Sequence, residues 1–198
     1  IAVGTQAGNN VNASNTIAIG TEARATADGA IALGLRSTAS GVSTIAIGTG
    51  ARAANSVAIG TNATADNTGT AVGDFSTATG ANSAAYGRGA TATHANSAAF
   101  GNGATTQRAN QQVFGTATNT YTMTGIASDA SRAEQRGPLE VVTSDINGNL
   151  ATDGGLLFDQ LSRLGGGVAI AMALENPDLV GNERFGLAGN VAFWEHNV

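Results

Sequence analysis

The chain of 198 residues has no cysteine and no lysine, and only two prolines and one tryptophan. Without cysteine it forms no disulfide and no thiolate metal site; this does not fix the compartment, and the exterior of a cell stays open. Charge is sparse and unevenly placed. Residues 1–115 carry five arginines against four acids, a net +1, and residues 116–198 carry four arginines against ten acids, a net −6. Neither part is a basic patch, so nucleic acid is not an expected partner. No run of 18 apolar residues exists, which excludes a transmembrane helix. A secretory leader is not visible, and the chain opens inside a repeat, as expected of a piece of a longer protein. There is no Gly-x-Ser-x-Gly elbow, phosphate loop or Arg-Gly-Asp tripeptide. His94 and His196 have no suitably spaced partner, so no metal, cofactor or catalytic residue is expected.

What the chain has is one short phrase written nine times. It reads Ile1-Ala2-Val3-Gly4, Ile17-Ala18-Ile19-Gly20, Ile31-Ala32-Leu33-Gly34, Ile45-Ala46-Ile47-Gly48 and Val57-Ala58-Ile59-Gly60. It continues as Thr70-Ala71-Val72-Gly73, Ala84-Ala85-Tyr86-Gly87, Ala98-Ala99-Phe100-Gly101 and Gln112-Val113-Phe114-Gly115. Self-similarity at so short a period marks a solenoid. About fourteen residues are too few for two helices but suit two short strands and two turns. The alternation of large and small residues gives the first strand. It sends Ile17 and Ile19 to one face and Ala18 to the other. Gly20, Gly34, Gly48, Gly60, Gly73, Gly87, Gly101 and Gly115 then break the strand with a backbone angle that a Cβ disfavours. Small residues three places on, such as Ala23, Ser37 and Ala51, are expected to form a second, narrower strand. Asn55-Ser56, Asn82-Ser83 and Asn96-Ser97 supply turns through bonds to nearby backbone.

The expected core is one file of large residues: Ile17, Ile19, Ile31, Leu33, Ile45, Ile47, Val57 and Ile59, widening to Tyr86, Phe100 and Phe114. Rungs pairing in parallel at about 4.8 Å each make a rod of roughly 43 Å. So thin a solenoid is marginal alone, and oligomerisation is expected to add burial.

The Asn-Ser-Val-Ala-Ile-Gly phrase of residues 55–60, repeated at this spacing over 1–115, resembles the head repeat of the trimeric autotransporter adhesins, the YadA-like family. The resemblance implies a left-handed parallel β-roll, three chains packed into one head, and attachment of a bacterium to host matrix, cells or surfaces. It implies a homotrimer, an unspecified ligand, exposure at the bacterial surface and an outer-membrane anchor in the full-length protein. The phrase departs from the pattern after Ile59, where rungs shorten and the slot becomes Thr-Ala-Val and Ala-Ala-Tyr.

Beyond the repeats, residues 116–154 read as a connector. Residues 118–124 alternate like a strand, and 139–144 and 149–152 flank the hairpin turn Asn147-Gly148. Asp145 opens a sequence that superficially suits calcium, but the sixth and twelfth places of such a loop hold Leu150 and Leu156, so a plain turn is expected. Residues 155–180 read as a helical, coiled-coil-like segment. Leu157, Leu161, Leu164, Val168 and Ala171 form a heptad seam, Gly165-Gly166-Gly167 interrupts it, and Asn176-Pro177 ends it. Residues 181–198 hold one amphipathic strand, with Phe185, Leu187, Val191 and Phe193 on one face and Trp194 at its edge. This resembles the incomplete start of the family's membrane anchor.

Two other functions compete. A structural trimeric fibre, such as a phage tail fibre, makes 181–198 a soluble element. A polysaccharide-acting enzyme on a β-helix needs acids such as Asp66 or Asp74. Thr77/Thr79 and Thr91/Thr93 suggest an ice-binding face, but only on two rungs, and strand preference explains them. Arg24, Arg36, Arg52 and Arg88 stand at different offsets from the strands, so no continuous basic stripe is expected.

Overall fold

A computed structural model describes residues 1–9 and 12–173. The expected strand of 181–198, the Asn176-Pro177 stop and His196 lie outside the described residues. The chain divides into two compact units, Ile1–Tyr121 and a second that begins at Thr122.

The first unit is a parallel β-solenoid. Its longer strands are Ala2–Val3, Ile17–Ile19, Ile31–Leu33, Ile45–Ile47, Val57–Ile59, Thr70–Val72, Ala84–Tyr86, Ala98–Phe100 and Gln112–Phe114. They stack in chain order as one nine-stranded parallel sheet. Six two-residue strands make the opposite sheet: Arg24–Ala25, Thr38–Ala39, Arg52–Ala53, Thr64–Ala65, Thr77–Ala78 and Thr91–Ala92. Rung length varies without loss of register, since Ala46 pairs with Ala58 and Ala58 with Ala71. The missing residues come out of the turn that leads back to the longer strand.

The interior is not the file of large residues expected from the repeat. Among the described residues every buried hydrophobic side chain is alanine. One column is Ala18, Ala32, Ala46, Ala58, Ala71, Ala85 and Ala99, from the middle of the longer strands. A facing column is Ala25, Ala39, Ala53, Ala65, Ala78 and Ala92. A third is Ala23, Ser37, Ala51, Ala63, Ser76, Ala90 and Ala104, in the turn between strands. These are the small residues expected to form the second strand; that strand begins one residue later, and their own side chains fill the corner of the core. Ile17, Ile19, Ile31, Ile45, Ile47, Val57 and Phe100 are only half-buried, and Leu33, Ile59, Tyr86 and Phe114 are exposed. The reason is steric. A rung this short folds its two strands so closely that only methyl groups fit between them. Strand alternation then sends the large residues to the outer face.

The glycine column shows the same tightness. Gly48 has φ +126°, and a Cβ there would lie 2.4 Å from the carbonyl oxygen of Gly60 on the next rung. With so few carbons per rung to bury, the backbone ladder contributes much of the order. Rung-to-rung bonds such as Gly34 N–H to Ile19 O and Gly48 N–H to Leu33 O are both 2.8 Å.

Past the last rung the construction changes. Residues 118–124 form no strand; instead the Tyr121 hydroxyl donates to the Phe114 carbonyl, and Thr116 N–H donates to Asn119 Oδ1 at 2.6 Å, so the chain folds back on the last rung. Helix α1 (Asp129–Glu134) is capped by Ser128, whose hydroxyl accepts from Ser131 N–H at 3.1 Å. Val142–Ser144 and Leu150–Thr152 pair as an antiparallel hairpin. Helix α2 (Leu156–Ala173) runs without a break through Gly165-Gly166-Gly167.

Candidate functional site

Among the described residues no group of three or more His, Asp or Glu side chains is placed to hold a metal ion. The Asp145 loop shows what its carboxylate does instead. It accepts the N–H groups of Asn147 and Asn149 at 2.9 Å each and the Asn149 amide at 2.8 Å. These bonds, the Asn149 side-chain bond first, hold its pKa below the usual 3.8. Asp153 acts similarly at the start of α2, accepting from Val141 N–H at 2.9 Å and from Gly155 and Leu157 N–H at 3.0 Å each. The bond from Val141 is the largest cause of its lowered pKa. Asp66 and Asp74, the acids considered for catalysis, also serve turns. Asp66 Oδ1 accepts the Asn67 N–H at 2.8 Å, and Asp74 Oδ1 accepts the Thr61 N–H at 2.7 Å.

The outer columns of the roll's two sheets present two unlike faces. The nine-stranded sheet displays Val3, Ile19, Leu33, Ile47, Ile59, Val72, Tyr86, Phe100 and Phe114 in one register column. Its last three members stack: the Tyr86 and Phe100 rings are 5.5 Å apart and 5° from parallel, and Phe100 and Phe114 are 5.1 Å apart at 12°. A second outward column, Ile17, Ile31, Ile45 and Val57, runs beside it. Large exposed apolar patches on soluble proteins mark interaction surfaces. The six-stranded sheet is the opposite in character. Its outward column is Arg24, Thr38, Arg52, Thr64, Thr77 and Thr91.

A third column lies in the turns. Asn82, Asn96 and Asn110 have φ of 55°, 53° and 58° and stand fourteen residues apart. The Asn82 amide donates to Asn96 Oδ1, and that of Asn96 to Asn110 Oδ1, at 3.2 Å each. Thr68 Oγ1 extends the ladder by donating to Asn82 Oδ1 at 2.7 Å. Asn82 and Asn96 were expected to bond nearby backbone, but their side chains bond across rungs. Their fourteen-residue recurrence was the available signal. His94 is half-buried, with Nδ1 3.3 Å from Thr106 Oγ1.

Comparison with known proteins bears directly on this unit. A family model described as the YadA head domain repeat (2 copies) matches residues 12–37, 39–54, 51–83, 67–90 and 78–104. Among solved structures the chain is similar to the collagen-binding domain of the Yersinia adhesin YadA. The identity is 26%, over 80% of this chain and 86% of that one, with a TM-score of 0.49. No curated protein sequence matches the chain.

Proposed function

We propose that the chain, whose roll matches the YadA head domain repeat over residues 12–37 and 39–104, acts as the adhesive head of a trimeric protein displayed on a bacterial surface. The observation that carries this reading is the head-repeat match along the roll. The family is one of adhesins, and the reading is of a binding protein without catalysis.

Physical chemistry supplies the rest of the proposal. The apolar columns of the nine-stranded sheet, from Ile17 to Phe114, become the contact between three copies. Trimerisation then adds burial to that of the alanine core, and the expected file of large residues becomes a core shared between chains rather than one inside each. Avidity follows, because three weak surfaces on one stiff body bind together without any deep pocket. In α2, Leu157, Leu161, Leu164 and Val168 are 50–64% exposed. Three such seams facing each other suit a coiled coil leading to a stalk. On this reading 116–154 is the connector between head and stalk, 155–180 the coiled-coil segment and 181–198 the first part of an outer-membrane anchor.

The test combines mass and binding. Light scattering across a dilution series is expected to give a stable mass near three times 19.5 kDa. Immobilised matrix proteins and cultured cells are expected to retain the trimer more strongly than a monomeric variant. A monomer at every concentration, with no saturable binding to any matrix or cell surface, would overturn the reading.

A further inference from the structure

We infer that the N-terminal rungs carry an arginine-lined groove that binds acidic polysaccharide chains, through sulfate or carboxylate groups spaced along the sugar backbone. The inference rests on the adhesin reading for its purpose, but its residues lie on a face that the proposed trimer contact does not use.

The groove measures about 470 Å³ and is lined by Gln6, Asn9, Glu22, Arg24, Arg36, Thr38 and Arg52. The fold assembles it from residues that look unrelated in the sequence. Arg24 pairs in register with Thr38, and Thr38 with Arg52, so the two arginines share one outward column two rungs apart. At about 4.8 Å per rung their backbones are roughly 10 Å apart. Arg36 comes from the neighbouring turn column. It sits at φ 56° and holds Glu22, at φ 59° one rung earlier, through an Nε to Oε2 contact of 2.9 Å. Three of the five arginines in residues 1–115 therefore line one groove.

The local charge differs from that of the chain. The lining has three guanidinium groups against one carboxylate, a net +2, while the whole chain is −5. Among the described residues Arg24 and Arg52 have no ion-pair partner, and both are exposed. Only Arg36 is neutralised. Asp66 is near but lines the adjoining hollow with Arg52 and Thr64, and its Oδ1 is engaged by Asn67 N–H.

The chemistry selects a ligand class. Planar guanidinium forks suit sulfate, carboxylate and phosphate oxygens. The remaining lining groups, Gln6, Asn9 and the Thr38 hydroxyl, suit sugar hydroxyls, since each can donate and accept. A nucleic acid shares the negative charge, but among the described residues the groove has no aromatic ring on which a base can stack. A membrane surface is disfavoured because, among the described residues, no apolar side chain lines the groove. An open groove crossing rungs also suits an extended chain better than a compact ion.

The test uses the full chain with four probes: dextran sulfate, polygalacturonate, oligo-dT and neutral dextran. At low ionic strength dextran sulfate or polygalacturonate should bind more tightly than oligo-dT and neutral dextran, and added salt should weaken that binding. Which of the two binds better identifies the anionic group. The double variant Arg24→Gln/Arg52→Gln should lower affinity at least about tenfold. Arg88→Gln, whose guanidinium lies 5.8 Å over the Phe75 ring on other rungs, should leave it unchanged. Glu22→Gln removes the opposing carboxylate and frees Arg36, so it should tighten binding. This gain cannot come from misfolding. Affinity unaltered by the double variant, or weakened by Glu22→Gln, would overturn the proposal, as would tighter binding of oligo-dT. A chain that is trimeric and adheres to matrix but binds neither acidic glycan would refute this inference alone. A monomer that binds acidic glycan would refute the trimeric reading alone.

Discussion

The roll and the segment that follows it solve the same problem in opposite ways. Residues 1–121 bury twenty alanines and six hydroxyl-bearing side chains, and each rung closes its backbone bonds on the next. Residues 122–168 contain no buried residue at all. Ile126, Leu150, Leu157, Leu161 and Leu164 are each at least half exposed. Among the described residues the second region leaves large apolar side chains uncovered, and helix α2 is long enough to display them as a seam. The difference is that the roll buries side chains within its own chain, whereas on the proposed trimeric reading α2 is covered by other chains. It also separates two kinds of apolar residue within the roll, alanine buried inside and isoleucine turned to the outer face.

The sharpest way to break this comparison uses two adjacent residues. Ala46 is fully buried and Ile47 half-buried on the outer face. Ala46→Asp places an unpaired carboxylate among methyl groups, at a cost of several kcal/mol, and should abolish the cooperative melt of the roll. Ile47→Asp should leave the strand signal in circular dichroism intact but reduce the mass to one chain. Equal loss of fold in both variants would mean that the roll, too, depends on its partners.

Dilution sharpens the same contrast. If α2 is held by other chains, its helical signal should fall together with the mass as the protein is diluted. The roll's strand signal should persist. Isolated helices of this length are marginal in water, and three successive glycines cost about 1 kcal/mol each against alanine. A helical signal independent of concentration would show that α2 stands alone.

How much of this was legible in the sequence depends on what period and alternation encode. The recurring glycine gave the rung, and the alternation in Ile-Ala-Ile gave two faces. Alternation does not say which face is inside. Hydrophobicity pointed to isoleucine, but the space between the strands is set by rung closure, and it admits alanine. Val113 illustrates the constraint. It occupies the alanine column on the last long strand, pairs with Ala99, and is only partly buried against the core. The arginine groove was hidden for a related reason. Arg24 and Arg36 look misaligned by offset, and only folding puts a strand column beside a turn column. The asparagine ladder was visible as a fourteen-residue recurrence, but its side-chain partners lie a rung away.

A smaller effect tests that ladder. Asn96→Gly keeps the left-handed backbone but removes the amide that links Asn82 and Asn110. The expected cost is about 1 kcal/mol, a shift of a few degrees in the roll's melting temperature. Asn96→Ala should cost roughly 1–2 kcal/mol more, because φ is 53° there and a Cβ disfavours it. A similar change of opposite sign is available at Ser76. Its hydroxyl is buried with no hydrogen-bond partner, while Ala23, Ala51, Ala63, Ala90 and Ala104 hold the equivalent place. Ser76→Ala should therefore stabilise the roll by up to about 1 kcal/mol, read as a higher melting temperature.

The smallest effect belongs to the second region and depends on pH. Asp145 and Asp153 have folded pKa values below the usual 3.8, each because its carboxylate accepts several N–H groups. A depressed folded pKa means that the ionised form is favoured by folding. The stabilisation is complete above the unfolded value and is lost as pH falls through the folded one. The hairpin and the first turn of α2 should thus keep their order at pH 5 and loosen below about pH 3.8, the usual value for both groups. Both carboxylates are open to solvent, so the change should be gradual. Amide exchange at Asn147, Asn149 and Leu157 gives the direct readout, because these N–H groups bond the two carboxylates. Asp153→Asn should reproduce the loosening at Leu157 at neutral pH and leave the Asn149 amide protected. Protection unchanged down to pH 2 would mean that neither carboxylate organises this region, and that its order comes from the hairpin backbone alone.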